Sequence, residues 1–163
     1  MPARFSVLMV CMGNICRSPT AEGVFRHLLG QAGLQGHVQV DSAGTLDYHV
    51  GAPPDARSCA HARRRGYELS GLRARQVSAA DYERFNLILA MDWQNLRALR
   101  EDCRPEHLHK IRRLMEFAPA GCRQEVVDPY YGRGEAFEAV LEDVELGCRG
   151  LLQYVHLALQ QKV

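Results

Sequence analysis

The fold is decided by one stretch near the N-terminus, Val7-Leu8-Met9-Val10-Cys11-Met12-Gly13-Asn14-Ile15-Cys16-Arg17-Ser18-Pro19. Its residues 7–10 are all apolar, which is typical of a strand buried inside a parallel sheet. Gly13-Asn14 then indicates a turn. Ser18-Pro19 predicts a helix that begins at the proline with the serine as its N-cap. A strand, a tight loop and a helix are therefore expected in direct succession.

The loop between this strand and this helix suits a phosphate group, because a helix N-terminus directs N–H groups and a positive dipole end at an anion. Cys11 starts the loop, and Arg17 ends it with a guanidinium that can bind two phosphate oxygens at once. A thiol in the same field ionises readily and becomes a strong nucleophile. The spacing Cys-x5-Arg-Ser thus predicts a phosphate-ester hydrolase. The alternative, a buried structural cysteine beside a surface arginine, is disfavoured by the context of strand and helix.

The size and charge of the chain narrow its class. A length of 163 residues fits one domain, residues 1–163, with a sizeable core. The net charge of +1 argues against a nucleic-acid partner. No apolar run approaches the ~18 residues of a membrane span. No apolar segment follows Met1 as in a signal peptide, so a cytoplasmic protein is expected.

The six cysteines show no spacing typical of a zinc site, so no metal is expected. No cofactor is expected either, since Arg17 and the loop amides can neutralise a phosphate by themselves. Four of the cysteines are interpreted as buried reduced thiols in a protein that needs no disulfides; they are Cys59, Cys103, Cys122 and Cys148.

Apolar periodicity, caps and glycines predict the remaining elements. The helices are expected at 19–34, from a cap at Asp55 to Arg65, from a capping box at Ser78 to Phe85, from Asp92 to Asp102, and at 135–160. The strands are expected at 37–42, 86–91 and, as a polar edge strand, 110–115. Gly147 and Gly150 are expected to weaken the last helix.

Strands that alternate with helices predict an α/β fold in a single domain. Its sheet is doubly wound, with about four parallel strands, helices on both faces and the phosphate-binding loop after the first strand. The arginines between residues 57 and 75 allow two interpretations, a solvated basic face or a docking surface for acidic or phosphorylated partners.

Several motifs together resemble the low-molecular-weight protein tyrosine phosphatases over nearly the whole chain. They are Val10 to Pro19, Asp41-Ser42-Ala43-Gly44, Ala74-Arg75-Gln76, Met91-Asp92 and Asp128-Pro129-Tyr130-Tyr131. The resemblance implies that Cys11 is a nucleophile that forms a phosphocysteine and that Arg17 clamps the phosphoryl oxygens. It also implies that Asp128 protonates the leaving phenolate and later activates water.

The resemblance further implies a set of substrate-binding residues, namely Met12, Gly13, Asn14, Ile15, Cys16, Ser18, Tyr48, Tyr130 and Tyr131. It implies that Asn14, Ser18 and Ser42 support the loop by hydrogen bonds, because Leu72 stands where better-known animal members carry a supporting histidine. Cys16 is expected to be a redox partner of Cys11. The two adjacent tyrosines could instead only pack their loop.

The expected activity is that of a protein tyrosine phosphatase acting on phosphotyrosine-containing proteins and aryl phosphates. One alternative is a thiol-dependent arsenate reductase, which shares this fold but needs further relay cysteines near the third strand, where this chain has none. The other is a non-catalytic phosphate-binding module, which would have lost the nucleophile or the acid. The sequence does not indicate an oligomeric state.

Overall fold

The computed structural model describes residues 4–161, and the two ends of the expected 1–163 domain lie outside this range. Four strands form one sheet in the order β2-β1-β3-β4, and every neighbouring pair is parallel. The strands are β1 (Phe5–Cys11), β2 (Val38–Gly44), β3 (Leu87–Ala90) and β4 (Ile111–Arg113). The helices are α1 (Arg17–Gln31), α2 (Ala56–Arg64), α3 (Ala79–Arg84), α4 (Trp93–Asp102) and α5 (Gly134–Gln161).

Helices cover both faces of this sheet, so the prediction of a doubly wound α/β fold is confirmed. Alternate residues of β1 point to opposite faces. Val7 and Met9 pack into a core shared with α1 and α5, whereas Leu8 and Val10 pack into a second core with α3 and α4. All four side chains are completely buried, as the unbroken apolar run requires.

The start of α1 differs from the prediction. The helix begins at Arg17 with Cys16 as the N-cap residue, and no side chain caps it. Ser18 lies inside the first turn, and its hydroxyl contacts Cys11 instead of the helix N-terminus. At the other end the helix stops at Gln31, and Gly33 has a φ of +72° that favours glycine and ends the helix before the expected residue 34.

The caps at the other helices are as predicted. The Asp55 side chain accepts a hydrogen bond from the N–H of Arg57, which opens α2. The Asp92 side chain does the same for α4 with the N–H of Asn95. The N–H of Ser78 donates to the carboxylate of Asp81 over 2.8 Å, which completes the capping box of α3.

The region after α4 was predicted less well. A 3₁₀ helix at Pro105–Lys110 was not expected, and β4 has only three residues. The second half of the expected edge strand is a 3₁₀ turn, Leu114–Phe117. Gly147 and Gly150, which are expected to weaken α5, do not interrupt it, since the helix is continuous from Gly134 to Gln161.

These two glycines let α5 pack closely against the 3₁₀ turn. A Cβ at Gly147 would lie 2.8 Å from Cγ of Leu114, and one at Gly150 would lie 1.6 Å from the carbonyl oxygen of Phe117. Gly150 tolerates no side chain without a shift of the backbone, and a side chain at Gly147 would displace that of Leu114. The glycines thus fix the distance between α5 and the end of the sheet.

Candidate active site

A cavity of about 330 Å³ opens at the carboxyl end of β1, where the doubly wound fold predicts a ligand site. Eleven residues line this cavity. Ten of them were singled out from the sequence, and His49 was missed. The lining consists of Cys11, Met12, Gly13, Ile15, Cys16, Arg17, Tyr48, His49, Asp128, Tyr130 and Tyr131. Asn14 and Ser18 do not line the cavity, because both are buried behind it.

The loop from Met12 to Cys16 turns tightly around Cys11. Asn14 has a φ of +57°, a left-handed conformation that asparagine tolerates better than most residues. In this conformation its N–H donates to the Cys11 Sγ over 3.3 Å. Within residues 4–161, no protein atom accepts a hydrogen bond from the other N–H groups of this loop, those of Met12, Gly13, Ile15 and Cys16. These groups are available to bind an anion.

The side chain of Asn14 fixes the direction of the hydrogen bonds behind the loop. Its Oδ1 accepts from the N–H of Arg75 over 3.0 Å, so its Nδ2 must donate to Ser18 Oγ, at 2.7 Å, and to Ser42 Oγ, at 3.0 Å. Ser18 Oγ already accepts from Asn14, so its own hydrogen is free for Cys11 Sγ, 2.9 Å away. The Ser18 hydroxyl and the N–H of Asn14 thus both face the Cys11 sulfur.

Glu22 extends this network and was not predicted. It is only 3 % exposed, and its Oε1 accepts a hydrogen bond from Ser42 Oγ over 2.7 Å. Burial raises the pKa of Glu22, although the hydrogen bonds from Ser42 and Arg26 oppose this shift. A signal was present in the sequence, since Glu22 follows Ser18 by four residues and so lies on the same face of α1.

Arg17 is anchored by one end of its guanidinium. Nη1 donates to Oδ2 of Asp92 over 2.6 Å and to the carbonyl of Val126 over 3.1 Å. Nη2 lies 3.7 Å from Oδ2 of Asp128, and no described residue accepts from Nε. Burial disfavours the charge of Arg17, but Cys11 and Asp92 outweigh burial and raise its pKa. The sequence predicted Asp92 only as a helix cap. In the structure it caps α4 and also holds the guanidinium of Arg17.

The segment that carries Asp128 reaches the cavity from the far end of the chain. The N–H of Val126 donates to the carbonyl of Met91 just after β3, over 2.8 Å. The N–H of Tyr130 donates to Oδ1 of Asp128 over 3.1 Å. These bonds bring the carboxylate to the rim, where its side chain is 39 % exposed.

Three tyrosines form the outer rim. The ring centroids of Tyr130 and Tyr131 lie 5.0 Å apart in an edge-to-face arrangement. Tyr131 is 96 % exposed and Tyr48 is 78 % exposed. A fully exposed ring gains nothing from packing, so the interpretation that Tyr131 only packs its loop is disfavoured.

Cys16 is a different kind of thiol from Cys11. It is 5 % exposed and lies near the side chain of Ser58. Burial raises the pKa of Cys16 to about 12, although the Ser58 side chain opposes this shift. All six cysteines are free. Because its pKa is raised, Cys16 is a neutral thiol beside the nucleophile candidate.

Several arginines between residues 57 and 75 are paired within the protein. Arg65 binds the carboxylates of Glu138 and Glu145, and Arg75 binds those of Asp41 and Asp81. Such pairs leave less charge for a partner, which favours the interpretation as a solvated face over a docking surface.

Residues 4–161 contain neither a membrane-spanning helix nor a cluster of metal ligands. No helix in this range is long and apolar enough to cross a membrane. No group of three or more His, Cys, Asp or Glu side chains in it could hold a metal ion.

Comparison with known proteins agrees with this geometry. The sequence profile described as low molecular weight phosphotyrosine protein phosphatase matches residues 6–162. The chain belongs to this family. Members include the low molecular weight protein-tyrosine-phosphatase YfkJ of Bacillus subtilis, which is 42 % identical over 90 % of this chain and 93 % of its own. The human low molecular weight phosphotyrosine protein phosphatase is 40 % identical over 93 % of this chain and 96 % of its own.

Solved structures of family members have the same fold. A protein tyrosine phosphatase from Entamoeba histolytica with Hepes in its active site superposes with a TM-score of 0.92 at 34 % identity. The match covers 94 % of this chain and 98 % of that one. The crystal structure of YfkJ superposes with a TM-score of 0.90 at 39 % identity, over 96 % and 98 % of the two chains. Membership thus extends over nearly the whole chain.

Proposed function

We propose that this chain is a protein tyrosine phosphatase that hydrolyses phosphotyrosine and aryl phosphate monoesters through a phosphocysteine. One observation carries the proposal. The thiol of Cys11, the guanidinium of Arg17 and the carboxyl group of Asp128 line a single cavity whose rim is made of tyrosines. A nucleophile, an anion clamp and an acid in one cavity are the groups that phosphate-ester hydrolysis needs.

In this proposal the loop and Arg17 bind the phosphoryl group together. Nη1 of Arg17 is held by Asp92 and Val126. The opposite edge of the guanidinium, formed by Nε and Nη2, is left to bind two phosphoryl oxygens in parallel. The free N–H groups of the loop bind the remaining charge, and they do so best in the transition state.

The first chemical step transfers the phosphoryl group to sulfur. The thiolate of Cys11 attacks phosphorus, an S–P bond forms, and the bond between phosphorus and the phenolic oxygen breaks. Asp128 gives its proton to that oxygen, so a neutral phenol leaves. Ser18 and the N–H of Asn14, which face the sulfur, stabilise the thiolate before the attack.

The second step returns the enzyme to its starting state. The carboxylate of Asp128 takes a proton from a water molecule, and the water oxygen attacks phosphorus. The S–P bond breaks, inorganic phosphate leaves and the Cys11 thiolate is regenerated. One water is consumed and Asp128 is again protonated, so the cycle balances.

The depth of the site supports an aromatic ester as the substrate. Cys11 is 2 % exposed at the floor, while Tyr48 and Tyr131 stand at the rim. A phosphotyrosine side chain is long enough to bring its phosphate to the floor while its ring passes between the tyrosines. A phosphoserine is shorter by a ring, and its peptide backbone would meet the rim first.

The expected setting of the enzyme belongs to the same proposal. Its partners would be phosphotyrosine-containing proteins, which the rim could admit by their exposed side chains. A thiolate nucleophile must stay reduced to act, which supports the cytoplasm as its compartment.

Neither alternative function gains support. The end of β3 carries Met91 and Asp92 where an arsenate reductase needs relay thiols, and a mere binding module does not need Asp128.

The test is hydrolysis of a phosphotyrosine peptide and of its phosphoserine and phosphothreonine counterparts by wild type and by Cys11→Ser. Wild type should hydrolyse the phosphotyrosine peptide with strong preference. Cys11→Ser should show no turnover but keep its affinity for vanadate within about an order of magnitude, since serine is nearly isosteric yet not ionised at neutral pH. Appreciable turnover by the variant, or equal rates on the three peptides, would refute the proposal.

A further inference from the structure

Arg57 lies in the first turn of α2, outside the lining of the cavity. Its Nε and Nη2 donate to the two carboxylate oxygens of Asp55 over 3.1 and 2.8 Å. The hydrogen bond from Arg57 lowers the pKa of Asp55, so this carboxylate is ionised at neutral pH. The N–H of Asp55 in turn donates to the carbonyl of Ile15 over 2.8 Å. The ion pair is therefore fastened to the phosphate-binding loop.

The face of the same guanidinium covers two aromatic rings. Its central carbon lies 5.5 Å from the centroid of the Tyr130 ring and 4.7 Å from that of Phe137. Tyr130 carries the N–H that donates to Asp128. Phe137 is 3 % exposed and stacks on His61 of α2, with centroids 5.7 Å apart. One side chain thus touches both the segment of the acid and the start of α5.

The segment that carries Asp128 needs such a contact. No helix or strand lies between Phe117 and Gly134, so the position of the carboxylate depends on a few tertiary contacts. A guanidinium can provide one, because it binds a carboxylate with its edge and aromatic rings with its face. The side chain is 46 % exposed, and ion pairs of this kind contribute little to global stability.

We propose that Arg57 is a positioning residue that couples the phosphate-binding loop to the acid segment and holds Asp128 at the leaving-group oxygen. The proposal rests on the proposed phosphatase function. It differs from a structural role in one respect: loss of Arg57 should impair protonation of the leaving group and leave phosphate binding intact.

The experiment measures kcat/KM over a series of aryl phosphates whose leaving groups range from p-nitrophenol to phenol. A general acid contributes roughly 10²–10⁴-fold, most of it with poor leaving groups. Arg57→Gln should lose about tenfold on phenyl phosphate and less than about twofold on p-nitrophenyl phosphate, because a small displacement removes part of the acid's effect. The inhibition constant of inorganic phosphate should stay within about twofold, because the anion site is untouched.

Three further variants sharpen the experiment. Arg63→Gln is the matched control on the same helix and should match wild type, since Arg63 is 62 % exposed and, among residues 4–161, forms an ion pair only with Glu68. Arg57→Lys keeps the charge but lacks the planar fork, so it should behave like Arg57→Gln. In an Asp128→Asn background the acid is already absent, so adding Arg57→Gln should cost less than about twofold.

The outcomes separate the two claims. If wild type hydrolyses no aryl phosphate, the proposed function fails and this inference fails with it. If wild type is active and the leaving-group series of Asp128→Asn is steep, the proposed function stands. The inference is then overturned by equal losses of Arg57→Gln across the series, by full rescue with lysine, or by an undiminished loss in the Asp128→Asn background.

Discussion

Arg17 divides its guanidinium between two tasks. Nη1 is bound to Asp92 and Val126, whereas no described residue accepts a hydrogen bond from Nε or Nη2. Because the anchor uses only one nitrogen, the planar group is held rigid without losing its ability to clamp an anion. A residue with a single charged nitrogen cannot serve as anchor and clamp together.

Arg17→Lys should therefore reduce kcat by about 10²-fold or more, because the clamp contributes most in the transition state. The measurement is steady-state hydrolysis of p-nitrophenyl phosphate, with Arg63→Lys as a control of the same chemistry on the surface. Near-normal turnover by Arg17→Lys would show that the guanidinium does not clamp the phosphoryl group.

Cys16 should protect Cys11 from irreversible oxidation. Peroxide should oxidise the thiolate of Cys11 to a sulfenic acid, and Cys16 should then attack its sulfur, forming a disulfide and releasing water. After peroxide and then a dithiol, wild type should regain most of its activity and Cys16→Ser much less. Equal recovery of the two proteins would remove this role from Cys16.

The pH dependence of this disulfide follows from the burial of Cys16. Burial raises its pKa to about 12, so below that pH the reactive thiolate fraction grows about tenfold per pH unit. Trapping of the sulfenic acid should accordingly accelerate from pH 7 to pH 9. A rate of disulfide formation that is independent of pH, followed by mass spectrometry, would contradict a thiolate attack by Cys16.

Single residues of the site were predictable where a motif fixes them in sequence. Cys11 and Arg17 are set by their spacing in one loop, and Asp128 by its resemblance to a family motif. The second role of Asp92 was not predicted, because its partner is brought close only by the folded chain. Glu22 was missed although its position four residues after Ser18 was a signal in the sequence. Asp92 lies 75 residues from the arginine that it holds.

At the level of elements, α5 shows how a weak local preference gives way to packing. Glycine lowers helix propensity, yet α5 passes through Gly147 and Gly150 without a break. The absence of side chains there lets the helix approach Leu114 and the carbonyl of Phe117. Tertiary packing at these two positions outweighs the local preference of the residues.

Gly150→Ala should destabilise the protein by about 1–3 kcal/mol, because its Cβ would lie 1.6 Å from the Phe117 carbonyl oxygen and the backbone must move. Gly30→Ala in α1 is the matched control, since no atom lies within 4 Å of its Cβ position. It should change the free energy of unfolding by no more than a gain of about 1 kcal/mol. Urea denaturation of both variants measures the difference, and equal stabilities would contradict the close approach.

The elements themselves were predicted where local signals are strong. The caps at Asp55 and Asp92 gave the starts of two helices correctly, because a cap is a contact between near neighbours. The edge strand was predicted too long, because the 3₁₀ turn at Leu114–Phe117 is shaped by its packing against α5. The start of α1 was misplaced because Ser18 faces Cys11.

At the scale of the whole molecule, the parallel sheet unites residues that are far apart in sequence. β1 ends at Cys11, β2 carries Ser42 in its second half, and Asp92 follows β3, so the carboxyl ends of three adjacent strands converge on one loop. That the strands form one parallel sheet was predicted from the alternation of strands and helices. The path of the long segment that carries Asp128 could not, because it has no periodic pattern.

In the proposed mechanism Cys11 carries the phosphoryl group during turnover. The most direct measurement is mass spectrometry of the enzyme denatured in acid during hydrolysis of phenyl phosphate, with peptide mapping of any added phosphoryl group. The mechanism predicts one phosphoryl group on the peptide that contains Cys11 in wild type and none in Cys11→Ser. A phosphoryl group on another residue, or undiminished turnover by Cys11→Ser, would contradict it.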